Sequence, residues 1–275
     1  MSARAPRELA GAPRTDDREG VAQLREVLHG AGFTAEAVQQ ALTTDGAFSR
    51  NPEDFPLYLR LMPESRLATL VKLFFLGVRV PRDEAAQALA PLALERVERI
   101  GIVRLEGGEA FSTVEISPTE DFLFAYDHPE YGLDRPDHVL GMSPPTKVLA
   151  CLTVRRPVER ALDVGTGSGL QALLAAQHSA RVVAVDINPR ALAFARFNAA
   201  LNGFENVETR EGSVFEPVEG EQFDLIVSNP PYVISPETDY IYRDSGLPGH
   251  SFCEGLVKRM PEFLREGGYA HVLVS

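Results

Sequence analysis

Apolar residues recur at helical spacing through the first third of the chain. Val21, Leu24, Val27 and Leu28 fall on one face of an amphipathic helix, which Gly30 and Gly32 interrupt. Thr34 is placed to cap a second, short helix ending at Leu42. Leu67, Leu70, Val71 and Phe74 predict a third helix within residues 64–76. Pro81 suits the first turn of another, where its missing N–H costs nothing. A helix over residues 92–99 leads into GIVRLEGGEAFSTVEISP, two strand-like runs around Gly107-Gly108 that predict a β-hairpin. Beyond residue 160 the pattern changes. ALDVGT (161–166), VVAVDI (182–187), VETREG (207–212), FDLIVS (223–228) and YAHVLVS (269–275) are strand-like, with helical segments over 170–177 and 189–201 between them. Strand alternating with helix predicts right-handed crossovers and a parallel α/β sheet covered on both faces.

These patterns divide the 275-residue chain into four. Residues 1–18 lack periodicity and read as a disordered tail. Residues 19–128 form a smaller, mainly helical domain whose helices followed by a hairpin resemble a winged helix. Residues 129–145, dense in Pro, Gly and charge, read as a linker, and residues 146–275 as the α/β domain. A hydrophobic share of 44% and a charged share of 24% suit a globular protein and exclude a chain disordered throughout, collagen or a coiled-coil rod. No apolar run reaches the ~18 residues of a membrane span, and the N-terminus has no secretory apolar core. Two cysteines, Cys151 and Cys253, cannot staple such a chain, so a cytoplasmic location is expected. The six histidines are scattered without ligand spacing, so no metal is expected. The net charge is −12, and acidic side chains outnumber basic ones over residues 1–145. That disfavours a phosphate-binding role for the N-terminal module, though direct nucleic-acid contact stays the alternative to a packing or substrate-orienting one.

The chemistry gathers at the ends of the predicted strands. The first ends in Asp163-Val-Gly165-Thr-Gly167-Ser-Gly169 and passes at once into a helix. Glycines let the backbone turn tightly and let a ligand approach without a Cβ in the way. Gly169 falls two residues after Gly167 where the dinucleotide fingerprint wants three, and no Gly-Lys-Ser/Thr ending follows, so a cofactor without phosphates is favoured. Asp186 ends the second strand, where a carboxylate can accept both hydrogen bonds of a ribose diol. The fourth ends in Ser228-Asn229-Pro230-Pro231-Tyr232. The prolines fix the backbone and remove donors, so the carbonyl preceding each is left as an acceptor. Asn229 adds a side-chain carbonyl and Tyr232 an aromatic face, together a site for a flat NH2 group.

From Thr146 to Ser275 these motifs resemble a class I S-adenosylmethionine-dependent methyltransferase. ALDVGTGSG resembles the family's first motif, VVAVDINP its ribose-binding motif, and FDLIVSNPPYV the NPPY motif of its amino-methyltransferases. The resemblance implies a Rossmann-like sheet, S-adenosyl-L-methionine as cofactor and a planar nitrogen as methyl acceptor. It implies that Asp163, Val164, Gly165, Thr166, Gly167 and Gly169 shape the methionine side of the pocket. Asp186 would hold the ribose, with Ile187 against the adenine. Gly212-Ser213-Val214 would lie by the adenine amino group, where relatives often carry an acid in place of Ser213. Asn229 and Pro230 would orient the acceptor, with Pro231 beside them and Tyr232 stacked on it. The segment following the motif would form a loop over the acceptor pocket.

Three functions follow as alternatives. The first is N-methylation of a protein glutamine, as in release-factor glutamine methyltransferases, or of a small amide or amine. The second is methylation of an RNA or DNA base amino group, and the third is a non-catalytic cofactor-sensing protein. The acidic balance favours the first, and an intact acceptor clamp disfavours the third. The family's sheet has further C-terminal strands that are missing here, so the fifth strand is expected to lie as an edge, completed by more chain or covered by a partner.

Overall fold

The computed structural model describes residues 11–42, 51–119, 122–128, 135–230 and 251–274. Its centre is a parallel sheet of five strands: β6 (Val158–Val164), β7 (Ser179–Asp186), β8 (Val207–Glu211), β9 (Phe223–Ser228) and β10 (Leu264–Val272), in the spatial order β10-β9-β6-β7-β8. Strand β6 therefore starts at the middle, and the chain reverses direction across the sheet on either side of it. At such a switch point the loops leaving neighbouring strands diverge and open a crevice. All five expected strands form, although β10 begins earlier, with a register shift between Leu264 and Tyr269. It lies at the edge, paired on one side with β9.

Near-continuous apolar runs form these strands because both faces are covered. Leu162, Val164, Val183, Val185 and Ile226 face α10 (Ser251–Phe263), through its Leu256, Met260 and Phe263. Ala161, Val182, Ala184, Leu225 and Val227 face α7 (Pro144–Leu152) and α8 (Leu170–Ala176). Helix α8 turns Ala172, Ala175 and Ala176 to the sheet, so its axis can lie close. Helix α9 (Pro189–Leu201) is apolar almost all round and buried accordingly, as a helix with neighbours on every side must be.

Before the sheet come α1 (Arg18–Gly30), α2 (Ala35–Leu42), α3 (Phe55–Leu61) and α4 (Arg66–Leu70), the last continued by a π-turn over Val71–Phe75. After β1 (Val80–Pro81) come α5 (Arg82–Leu89) and α6 (Leu94–Ile100). The expected hairpin forms from β2 (Val103–Glu106) and β3 (Glu109–Ser112), and β1 adds to β3. The second run does not continue as one strand. It is interrupted after Ser112, whose hydroxyl lies within hydrogen-bond reach of the Ile102 and Val114 carbonyls. The remainder is β4 (Val114–Pro118), which pairs with an unforeseen β5 (Leu123–Asp127).

Two expected boundaries move. Residues 11–17 are not a loose tail. Arg14 N–H donates to Ile100 O, and Asp17 caps α1 while holding Arg96. Residues 1–10 lie outside the described set. The core of the N-terminal lobe is also not closed off from the α/β domain, because Ala191, Phe194, Phe197 and Leu201 of α9 sit in the same apolar cluster as α1 and α6. Between the lobes, Asn198 and Asn202 bond both backbone groups of Ala125 and Leu123 on β5.

Candidate active site

A cavity of about 430 Å³ opens beyond the carboxyl ends of β6, β7 and β9. That is the size and place of a small-molecule site in an open α/β sheet. Its floor is the glycine turn after β6. The N–H groups of Gly165 and Thr166 both donate to Val185 O at 2.9 Å, which pins the turn to β7. Gly165 (φ 70°) and Gly167 (φ 55°) are left-handed, and a Cβ on either would meet no protein atom. Both line the cavity, so their missing side chains leave room for a ligand. Gly169 is different. It is not among the lining residues, and a Cβ there would lie 2.9 Å from the Cα of Ala195. Its missing side chain serves the packing of α8 on α9.

Asp163 is 2% exposed at the end of β6 and accepts the Thr166 hydroxyl at 2.6 Å. Burial pushes its pKa up to about 7, the Thr166 bond opposes the rise, and the charge of Asp186 adds to it. Burial also raises Asp186, against the bonds it accepts. Those bonds come from two loops: Gly167 N–H to Oδ2 and Asn188 N–H to Oδ1, both at 2.8 Å. One bond to each oxygen leaves each with further acceptor capacity, which a diol can use. Ile187, next in sequence, lines the cavity while 60% exposed, a large apolar side chain without protein cover. On the same side lie Gly212, Ser213 and Val214. Val214 holds φ 51°, a strained conformation for a β-branched residue. The Ser213 N–H faces Glu216 Oε2 at 3.5 Å.

At the end of β9 the Asn229 side chain donates through Nδ2 to Thr146 Oγ1 at 3.3 Å. Its Oδ1 is buried and has no hydrogen-bond partner among the described residues. An orphaned buried acceptor is costly, and this one belongs to a residue lining the cavity. Pro230 is buried beside it and also lines the cavity. Pro231 and Tyr232 lie outside the described residues, as does the expected loop up to residue 250.

The remaining wall was not foreseen. His138, Val139, Leu140 and Gly141, read from sequence as linker, line the cavity. They are fastened from both lobes. Asp127 at the end of β5 accepts Val139 N–H at 2.8 Å and forms a two-pronged pair with Arg190, at 2.7 Å for each contact. Arg190 and Asn188 both donate to Asp137 O, and Ser168 donates to Leu140 O. Ser143, Thr146 and Gln171 also line the site, from the first turns of α7 and α8, and Phe252 closes it from α10. Among the described residues no group of histidine, cysteine or carboxylate side chains could hold a metal ion. No helix among them is long and apolar enough to cross a membrane.

A parallel sheet with a glycine turn after its central strand and an acid, Asp186, at the end of the next, both bordering one cavity, defines an open α/β domain with a small-molecule crevice. Comparison with known proteins narrows this. A family model described as "Methyltransferase small domain" matches residues 144–272, and one described as a domain of unknown function (DUF7059) matches residues 30–113. The release factor glutamine methyltransferase of Geobacter sulfurreducens is 39% identical over 142 residues, covering 46% of this chain and 50% of that protein. The release factor glutamine methyltransferase of Xylella fastidiosa (strain 9a5c) is 30% identical over 201 residues, covering 67% of each. The ribosomal protein uL3 glutamine methyltransferase of Bradyrhizobium diazoefficiens is 38% identical over 124 residues, covering 40% of this chain and 39% of that protein. Several of these matches therefore span about half or less of the relative's own length. The chain belongs to the class I S-adenosylmethionine-dependent methyltransferases, in the subgroup marked by the NPPY motif.

Proposed function

We propose that the protein transfers a methyl group from S-adenosyl-L-methionine to the side-chain amide nitrogen of a glutamine in a protein. The observation that carries this is the buried Oδ1 of Asn229 on the cavity wall, unpartnered among the described residues. A planar NH2 group supplies the donor it lacks. Cavity and donor fit each other on independent grounds: open space over Gly165 and Gly167, spare acceptor capacity on Asp186, and an uncovered Ile187.

When bound, the donor supplies a methyl group already activated by a positive sulfur. In this reading Asp186 accepts from its ribose hydroxyls, Ile187 covers the adenine, and Ser213 and Val214 edge that ring. Gly165, Thr166 and Gly167 with Asp163 and Val164 border the methionine end. Asn229 Oδ1 and the Pro230 carbonyl accept the two hydrogens of the acceptor amide. An amide nitrogen is a poor nucleophile because its lone pair is delocalised. Two hydrogen bonds from its NH2 push density back onto nitrogen. They strengthen as positive charge develops there, so they lower the barrier more than they improve binding. Holding nitrogen in line with the methyl group removes much of the entropic cost.

We also read β1, α5, α6, β2 and β3 as a winged-helix-like unit that orients the acceptor protein, with Gly107-Gly108 at the tip of the wing. Glu95, Glu98, Glu106 and Glu109 on its last helix and hairpin stand against Arg96, Arg99 and Arg104, so this surface has no basic excess for a polyanion.

The test is transfer of labelled methyl from S-adenosylmethionine to three offered acceptors: a class I peptide release factor, ribosomal protein uL3 and total RNA. Label in a glutamine of either protein is expected, and label in RNA alone would overturn the reading. Asn229→Ala should lower turnover at least about tenfold, roughly 1.4 kcal/mol, with the cofactor Kd little changed. Unchanged turnover would remove Asn229 from the acceptor site.

A further inference from the structure

We infer that Thr146 is a positioning residue that sets which way the Asn229 amide faces. This rests on the proposed role of Asn229 as acceptor clamp. The two ends of a carboxamide are nearly equal in shape and differ only in hydrogen-bonding sense. A half-turn of the Asn229 side chain would put NH2 where Oδ1 now lies. The clamp would then meet the incoming NH2 with a donor, and the site would fail although its shape was unchanged. Among the described residues, the hydrogen bond that the Asn229 side chain makes is to Thr146.

Thr146 sets the orientation through the polarity of two hydroxyls. Ser143 caps α7, its Oγ accepting Thr146 N–H at 3.4 Å. The Ser143 and Thr146 hydroxyl oxygens are 2.8 Å apart. Either hydroxyl can donate in that contact; with Thr146 as the donor, its proton lies on the Ser143 side. That leaves a lone pair of Thr146 Oγ1 facing Asn229, and a lone pair takes the Nδ2 end, as found at 3.3 Å. Oδ1 is thereby turned away from Thr146 and left without a partner among the described residues. The backbone of Thr146 is held as well, because Gln171 at the start of α8 donates its Nε2 to Thr146 O at 3.0 Å. Gln171 follows directly on the glycine turn, so the acceptor clamp and the cofactor floor share one anchor.

Two substitutions separate this from a packing role. Thr146→Val keeps the shape and loses the hydroxyl, whereas Thr146→Ser keeps the hydroxyl and loses a methyl group. With a release factor as acceptor, Thr146→Val should lose about tenfold or more in kcat while the KM and Kd for the cofactor stay within about twofold, and Thr146→Ser should recover most of the loss. Adding Thr146→Val to Asn229→Ala should cost almost nothing further, because the two act as one unit. Full kcat in Thr146→Val, or an equal loss in both Thr146 variants, would overturn the inference and leave the proposed function standing. A wild-type protein that labels no glutamine would sink the function, and this role with it.

Discussion

At the scale of single residues, the site is a set of polar groups held at some cost. Asp163 is the clearest. Its carboxyl is buried, with a pKa near 7 against an ordinary 3.8. The folded protein thus holds a proton that the unfolded chain has already released, and stability on this account falls as pH rises from ~4 to ~7. Asp163→Asn cannot ionise. Relative to wild type, its melting temperature should climb as pH rises from about 4 to about 7 and level off above that, in the absence of ligand. A difference between the two proteins that does not change with pH would show Asp163 to be ionised throughout. Asn229 is a second such group, its buried acceptor without a hydrogen-bond partner among the described residues.

Among elements, the glycine turn shows one local sequence doing two jobs. Gly165 and Gly167 leave room for a ligand, whereas Gly169 lets α8 lie against Ala195 of α9. Gly169→Ala combines φ 94° with a contact to backbone and should lose about 2 kcal/mol or more in denaturant unfolding. Gly165→Ala meets no atom, so its stability loss should stay near the ~1 kcal/mol of a left-handed alanine while cofactor affinity falls more steeply. Isothermal titration with S-adenosylhomocysteine alongside unfolding separates the two. Equal stability losses in both variants would contradict the division.

For the whole molecule, the two lobes meet on a buried ion pair that also builds the cofactor wall. Arg190 and Asp127 are 1% and 4% exposed, and Asp127 anchors Val139 as well. Asp127→Asn takes the two-pronged partner from the buried Arg190, leaving Asp137 at 3.8 Å as its nearest carboxylate, and should cost about 3 kcal/mol of stability. It should also weaken cofactor binding, since the wall at 138–141 loses its tether. Asn202→Ala, which breaks an inter-lobe contact remote from that wall, should destabilise without the same loss of affinity. Equal losses of affinity would show the wall to be indifferent to Asp127. This junction could not be read from the chain. The five strands, helix α9, the glycine turn, Asp186 and the NPPY stretch were legible because each depends on residues close in sequence: a period, a cap or a turn. The linker that became a wall, Thr146 beside Asn229, the third glycine's packing role and the core shared through Phe194 and Phe197 depend on groups far apart in the chain. Local preference determines which elements form and what chemistry each carries to its end. Only their packing decides which ends meet, because burial and hydrogen-bond satisfaction are settled by neighbours in space.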